Sequence, residues 1–215
     1  MFAVIFEVVP KSDRWDEYLG LAKLLKPEVE AIDGFLDNER FESQRTKGRV
    51  LSLSTWRDEK ALIRWRTHAM HNTVQEKGRS AVFADYRLRV AEVVADSHVP
   101  SGQTLRQQRL DETEVGEATR VTLSEWSGTG DQPATADLAG MLEMPVPGAD
   151  GLVDREVFAS LYNPGKLLLL GAWRDAGSWV PRPPASGTLR HRWVRVVRDY
   201  GMRDRREAPR YYPAV

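Results

Sequence analysis

The stretch GFLDNERFESQRTKGRVLSLSTWRD, Gly34–Asp58, recurs in altered form as GLVDREVFASLYNPGKLLLLGAWRD, Gly151–Asp175. At a constant offset of 117 residues, 11 of the 25 aligned positions are identical without a gap. Unrelated segments of this length would match at roughly one or two positions, so the match indicates an internal duplication. The duplication predicts two similar halves of about 100 residues rather than one large domain.

A second match between the halves comes at a shorter offset. RLRVAEVVAD, Arg87–Asp96, aligns with RHRWVRVVRD, Arg190–Asp199, at an offset of 103 with 5 of 10 positions identical. The fall from 117 to 103 means that the second copy lacks 14 residues before this segment. What remains there contains Pro181, Pro183 and Pro184, and proline removes a donor from a helix interior and clashes with the preceding turn. The second copy is therefore predicted to have lost its second helix.

The first copy has the pattern of a ferredoxin-like β-α-β-β-α-β unit. Apolar residues recur every three or four positions in its helices, and β-branched and aromatic residues dominate its strands. We expect Pro27 to kink or split the first helix because it lacks an amide donor. The predicted elements are a strand over Phe2–Val9, a helix capped by Ser12 and ending before Gly34, strands over Phe35–Ser43 and Arg49–Trp56, a helix from Glu59 to about Gly78, and a strand over Asp85–Ala95.

The second copy repeats the strands more faithfully than the helices. Its first helix holds two prolines and three glycines, so two turns at most are expected. The predicted organisation is a first domain at 1–99, a linker at 100–118, a degenerate second domain at 119–200 and a C-terminal tail at 201–215.

Composition excludes several classes of function. The chain has 31 basic and 31 acidic residues, and this balanced charge gives no reason to expect a nucleic-acid partner. It has no cysteine, which excludes disulfides, thiolate nucleophiles and cysteine-ligated metals and fits a reducing compartment. Its four histidines show no metal-ligand spacing, so no metal site is predicted. With no apolar run long enough to cross a bilayer, we predict a cytoplasmic protein that does not bind membranes.

Several segments in order resemble the antibiotic biosynthesis monooxygenase superfamily of dimeric α+β barrels. They are FAVIFEVVP at the start, IDGF at Ile32–Phe35, LSLSTWRDEKAL at Leu51–Leu62, Trp65, and ADYRLRV at Ala84–Val90; GLVDREVF, LLLLGAWRD and VRDYGM extend the resemblance into the second half. In that superfamily, two four-stranded sheets pair into a barrel. The resemblance therefore implies an α+β fold in which the two repeats form one intramolecular barrel, closing the edges that either half would expose.

The resemblance also implies a function. The superfamily includes cofactor-free oxygenases of aromatic polyketides and haem-degrading oxygenases. We expect an oxygenase-like enzyme that acts on an aromatic or polyketide-type small molecule, in a cleft between the second helix and the sheet of the first repeat. No metal, flavin or other cofactor is predicted. A non-catalytic barrel that binds a small molecule is the alternative outside enzymology.

The second helix of the first repeat carries the candidate site. On a continuous helix, Trp65, His68 and His71 share a face, and Gln75 lies one turn beyond His71. The resemblance implies that Trp65 lines the cleft. We predict that His68 or His71 acts as general base and that Trp65 and Gln75 contact substrate. The alternative is that Trp65 belongs to the core and that both histidines are solvated.

Haem binding is a second alternative for the same cleft. Trp56 and Trp65 resemble the two tryptophans of the haem-degrading branch, whose proximal histidine aligns with Gln75. Glutamine is a poor ligand for iron, so haem would need His71 or His68 as a substitute.

The damaged repeat offers His191 and Trp193. The alignment places them opposite Leu88 and Val90, on a strand face that the missing helix would have covered. We predict that they contact substrate, as base and aromatic wall. The alternative is that Trp193 fills the gap and that a backbone carbonyl satisfies His191. An internally paired barrel further predicts a monomer, or a dimer formed through another surface.

Overall fold

The computed structural model describes residues 1–105, 113–128, 137–175 and 177–209. Parts of the predicted linker and tail, residues 106–112 and 210–215, lie outside these ranges. The strands are β1 Phe2–Pro10, β2 Phe35–Ser43, β3 Val50–Trp56, β4 Phe83–Asp96, β5 Arg120–Ser127, β6 Leu152–Ser160, β7 Lys166–Trp173 and β8 Thr188–Gly201. The helices are α1 Trp15–Glu30, α2 Glu59–Thr67, α3 Ala69–Lys77 and α4 Leu138–Met141, with one π-helical turn at Gly78–Val82.

The eight strands form one closed barrel in the order β1-β3-β2-β6-β7-β5-β8-β4. Each repeat contributes four strands, and the repeats join where β4 pairs with β8 and where β2 pairs with β6. The barrel interior is filled by apolar side chains from both repeats, among them Ile5, Leu53, Leu123 and Leu170. The predicted intramolecular α+β barrel is confirmed.

The β4–β8 junction has the register of a two-fold axis. Arg89 lies opposite Asp199, and the equivalent positions of the other copy, Arg192 and Asp96, also lie opposite each other. The axis passes through Glu92 and Arg195, which occupy the same position of the repeat and face each other across the junction. Their side chains form a buried ion pair at 2.8 Å. In a symmetric dimer of one sequence, a residue at this position would face its own copy.

Pro27 does not split α1, which continues through it to Glu30. The missing amide costs one hydrogen bond near the end of the helix, where the Pro27 carbonyl still accepts from the Ala31 amide. Tyr18, Ala22 and Val29 are buried on one side of the helix, and this packing holds it in place. The predicted cap at Ser12 is wrong, because α1 begins at Trp15 after Arg14.

The predicted single helix from Glu59 to Gly78 is also wrong. The chain leaves the helical conformation at His68, with φ −62° and ψ 128°, and this residue separates α2 from α3. Propensity could not reveal the break, since the segment holds no proline and its one glycine, Gly78, lies beyond α3.

The second repeat has lost its helical cover, as predicted. Within the described ranges, the short α4 is what remains of its first helix, and the residues between β7 and β8 contain no helix. The outer face of this half is covered by irregular chain. The Trp179 ring lies 5.9 Å from that of Trp173, and Trp193 packs against Trp173 at 5.3 Å.

The axis pair yields a prediction for stability. Arg195→Glu would place two carboxylates opposite each other in a buried position, so we expect the free energy of unfolding to fall by about 3–5 kcal/mol. Urea unfolding followed by circular dichroism measures this change. The charge-exchanged double variant, Glu92→Arg with Arg195→Glu, should recover most of the loss. If the double variant is no more stable than the single one, the pair does not act as an axis contact.

Candidate functional site

A cavity of about 350 Å³ lies between the helices of the first repeat and the outer face of the sheet. Its walls come from α1, α2 and α3, from strands β1 to β4, and from β8 of the second repeat. Cavities of this size hold small organic molecules. Apolar side chains make up much of the wall, including Val4, Leu25, Leu62, Phe83 and Leu88.

Trp65 and His71 form the aromatic part of this wall. Their rings stack with a centroid separation of 4.0 Å and an angle of 12°. His71 Nδ1 lies 2.8 Å from the backbone oxygen of Trp65. A carbonyl oxygen can only accept, so Nδ1 must carry the proton in this contact. The Trp65 carbonyl also accepts from the His68 amide at 3.2 Å, so the imidazole gives it a second hydrogen bond where α2 ends.

The same contact fixes the chemistry of His71. Because Nδ1 donates to Trp65, Nε2 of the neutral ring carries the free lone pair. Burial, together with the neighbouring His68, lowers the pKa of His71 to about 4 against the opposing effect of the hydrogen bond to the Trp65 carbonyl. The imidazole is therefore neutral at physiological pH and offers a hydrogen-bond or proton acceptor in a cavity wall.

His68 occupies a different environment from His71. It does not line the cavity, although its ring stacks on Trp65 with centroids 5.7 Å apart. Its Nε2 lies 3.5 Å from a carboxylate oxygen of Glu28 on α1. Gln75 does line the cavity, one turn beyond His71 on α3. The structure thus brings together three of the predicted residues, Trp65, His71 and Gln75, and leaves His68 behind them.

His191 and Trp193 lie outside this cavity. His191 Nδ1 is 2.8 Å from the hydroxyl of Ser124, and its ring meets Trp179 edge-on at 5.3 Å. Burial lowers the pKa of His191 to about 4. Trp193 packs with Trp173 in the cluster that covers the second repeat. The packing matches the alternative in which Trp193 fills the gap, with a hydroxyl rather than a carbonyl as the partner of His191.

Several cavity residues were missed because they come from the other repeat or from the tail. Arg198 and Tyr200 reach the cavity from β8, and Arg205 and Pro209 reach it from the tail. At the offset of 103, Arg198 and Tyr200 align with Ala95 and Ser97. The second copy thus has large side chains where the first has small ones, and this difference was the available sign that residues of β8 line the cavity.

The cavity wall is rich in positive charge. It contains six basic residues and two acidic ones, namely Lys26, Arg40, Arg66, Arg79, Arg198 and Arg205 against Glu59 and Glu76. Arg205 donates to the hydroxyl of Tyr86, and Arg40 Nη1 donates to Asn38 at 3.1 Å. The walls thus combine an apolar surface with an excess of guanidinium groups.

Metal and haem ligands are sparse. Within the described ranges, no group of three or more His, Cys, Asp or Glu side chains could hold a metal ion. Of the two histidines considered as haem ligands, only His71 lines the cavity, and only its Nε2 is free of the Trp65 contact. The described part of the chain also contains no helix that is long and apolar enough to cross a membrane.

His71 makes stability depend on pH. The unfolded histidine binds a proton below its ordinary pKa of 6.5, whereas the folded one binds it only near pH 4. The stabilisation is complete above about pH 6.5 and is lost as pH falls toward 4, because the unfolded state then binds more protons. Between about pH 7.5 and 5, the unfolding free energy of wild type should therefore fall by roughly 2 kcal/mol more than that of His71→Gln.

Urea unfolding at both pH values measures this difference, and the exposed His98→Gln is the matched control. Equal pH dependence in wild type and His71→Gln would contradict the buried, neutral state of His71.

The chain is similar to one protein family and to several known proteins. The family model described as antibiotic biosynthesis monooxygenase matches residues 1–77. A protein of Pyricularia oryzae named jasmonate monooxygenase ABM is 43% identical over 222 residues, covering 99% of both chains. The Bacillus subtilis protein YqjZ, which is uncharacterised, is 35% identical over 92 residues, 43% of this chain and 78% of its own.

Among solved structures, an antibiotic biosynthesis monooxygenase superposes with a TM-score of 0.40 and 19% identity, covering 44% of this chain and 100% of its own. The match to the fungal protein runs through both repeats. On that whole-length similarity, the chain belongs to the antibiotic biosynthesis monooxygenase family.

Proposed function

We propose that this protein is a monooxygenase that binds a small, largely apolar molecule in the cavity of the first repeat. The observation that carries the proposal is the neutral His71, whose free Nε2 belongs to an apolar wall stacked on Trp65. The whole-length relative named for jasmonate supports a small organic substrate. An aromatic or polyketide-type molecule remains within this class.

The chemistry proposed needs no metal or flavin. His71 Nε2 accepts a proton from a CH2 group acidified by a neighbouring carbonyl or aromatic ring. The resulting carbanion supplies electrons to molecular oxygen and forms a carbon–oxygen bond. Loss of water then leaves a carbonyl group, so one oxygen atom enters the product and the other leaves as water. All four electrons come from the substrate, and the imidazolium returns its proton to the departing water.

The cavity assists this step by excluding water. A base whose pKa is about 4 is weak in the empty protein. The carbanion that forms beside it is an opposite charge, and such a charge favours the imidazolium, more strongly where apolar walls keep water away. Stacking on Trp65 holds the ring in one orientation, which limits the entropy lost on reaching the reactive arrangement.

The test is oxygen uptake by purified protein with a panel of jasmonate, anthrones and quinols. His71→Ala should lower the rate by about 10²- to 10⁴-fold because it removes the proton acceptor. His68→Ala, which removes an imidazole behind the cavity wall, should keep most of the activity. No uptake above buffer with any member of the panel would count against the proposal, and equal losses in the two variants would remove His71 from the role of base.

Haem is the alternative cofactor, and it is tested directly. We expect that hemin added to the wild-type protein gives the same absorbance spectrum as hemin added to His71→Ala. A Soret shift in wild type that the variant lacks would assign His71 to iron and contradict the cofactor-free reaction.

We also propose that the protein is a monomer, because its barrel closes within one chain. Light scattering coupled to size-exclusion chromatography should give a mass near 24.4 kDa. A species of twice that mass would show association through a surface outside the barrel junctions.

A further inference from the structure

We propose that Arg66 and Arg198 form a binding site for a carboxylate, so that the ligand of the cavity is an amphipathic organic acid. The assignment of this ligand as the substrate rests on the function proposed above. The sequence of neither repeat predicted that these two residues contact a ligand. Arg66 follows Trp65 on α2 of the first repeat, and Arg198 lies on β8 of the second. Both are half-buried and line the cavity.

Most buried arginines of this fold have a carboxylate partner. Arg89 binds Glu7 at 2.5 Å, Arg195 binds Glu92 at 2.8 Å, and Arg192 binds Glu125. This is the expected pattern, because a cation removed from water needs a compensating charge.

Arg66 and Arg198 depart from that pattern. Among the described residues, no carboxylate lies within ion-pair distance of either guanidinium. The hydrogen bond of Arg198 is a long one, 3.4 Å from Nη1 to the backbone oxygen of Glu207. A carbonyl oxygen carries only a partial charge, so it compensates a guanidinium less than a carboxylate does. The two groups therefore leave positive charge uncompensated at the cavity wall.

The two arginines also act on each other. Burial lowers the pKa of Arg66, and the positive charge of Arg198 lowers it further. Tyr200 and Glu59 oppose this shift, but the net direction remains downward. An arginine stays protonated even so. The protein thus holds two like charges on the wall of one partly desolvated cavity, and an anion bound in that cavity would relieve both penalties.

The other residues of the cavity wall further define which ligand the two arginines could bind. Arg205 is already bonded to Tyr86, and Lys26 lies 3.8 Å from Glu30 at the surface. Arg66 and Arg198 are therefore more available to a ligand than Arg205 or Lys26. Arg40 and Arg79 also line the cavity, so the wall offers a carboxylate further guanidinium groups. A planar guanidinium fork matches the two oxygens of a carboxylate. The remaining wall, with Leu62, Trp65 and Leu88, suits an apolar body attached to that acid.

The test compares acids with their neutral methyl esters. The pairs are jasmonate, naphthalene-1-acetate and decanoate, each against its methyl ester, with binding measured by calorimetry on the full chain. We expect at least one acid to bind about 10- to 100-fold more tightly than its ester, as is typical of charge-assisted hydrogen bonds. Arg66→Gln and Arg198→Gln should each reduce this preference by about tenfold or more and leave the affinity for the ester unchanged.

Arg64→Gln is the matched control. It removes the same charge from the same helix, but Arg64 faces Asp33 outside the cavity. The preference for the acid should persist in this variant. Thermal melting provides a check on folding: because Arg66 has no carboxylate to lose, Arg66→Gln should melt at or above the wild-type temperature. An acid preference that survives in both cavity variants, or that Arg64→Gln also removes, would overturn the proposal.

Oxygen uptake measured on the same samples separates this proposal from the proposed function. If no acid binds better than its ester, the carboxylate site is wrong, whether or not the esters are oxidised. If an acid shows the expected preference but nothing in the panel consumes oxygen, the site stands and the monooxygenase reaction fails.

Discussion

Closure of the barrel joins the repeats by strand pairing and a shared apolar core, and reciprocal ion pairs cross the same junction. Arg49 of the first repeat reaches Glu156 of the second at 3.0 Å, and the equivalent Lys166 reaches Glu39. Burial alone would raise the pKa of Glu7, but Arg89 and Arg49 hold it below its usual value. Separating the repeats would take one acid from Arg49 and one from Lys166 and leave them Glu7 and Glu125 of their own repeats. The cavity also depends on this junction, since β8 closes one side of it.

Covalent fusion of the repeats permits what a symmetric dimer cannot have. At the junction axis, Glu92 binds Arg195. In a symmetric dimer the same residue would stand on both sides of the axis, so an acid there would face an acid and a base would face a base. The same freedom has made the two outer faces different. One face keeps its helices and encloses the cavity, and the other is covered by Trp179 and Trp193. A single site therefore arises from a nearly symmetric framework.

The sequence predicted the framework better than the site, for physical reasons. The matched segments predicted the repeated strands and the missing helix, and the resemblance to the superfamily implied that the strands of both repeats close into one barrel. At the break, the Trp65 carbonyl accepts from both the His68 amide and the His71 side chain, a tertiary contact that the sequence does not encode as a helix stop. Such a contact is invisible to helical periodicity, which wrongly placed both histidines on one face. Arg198 was not predicted to line the cavity, because it belongs to the second repeat and the site was predicted from the residues of the first repeat.

Charge is distributed differently inside the barrel and in the cavity, and this difference supports the proposed ligand site. Inside the barrel, cations such as Arg89 and Arg192 meet acids that the fold itself supplies. In the cavity, Arg66 and Arg198 meet none among the described residues, although burial costs them free energy as well. Folding stability alone would favour neutral side chains at those two positions. Their position beside an apolar wall agrees with the proposed ligand, which would bring its own negative charge into the cavity that His71 also lines.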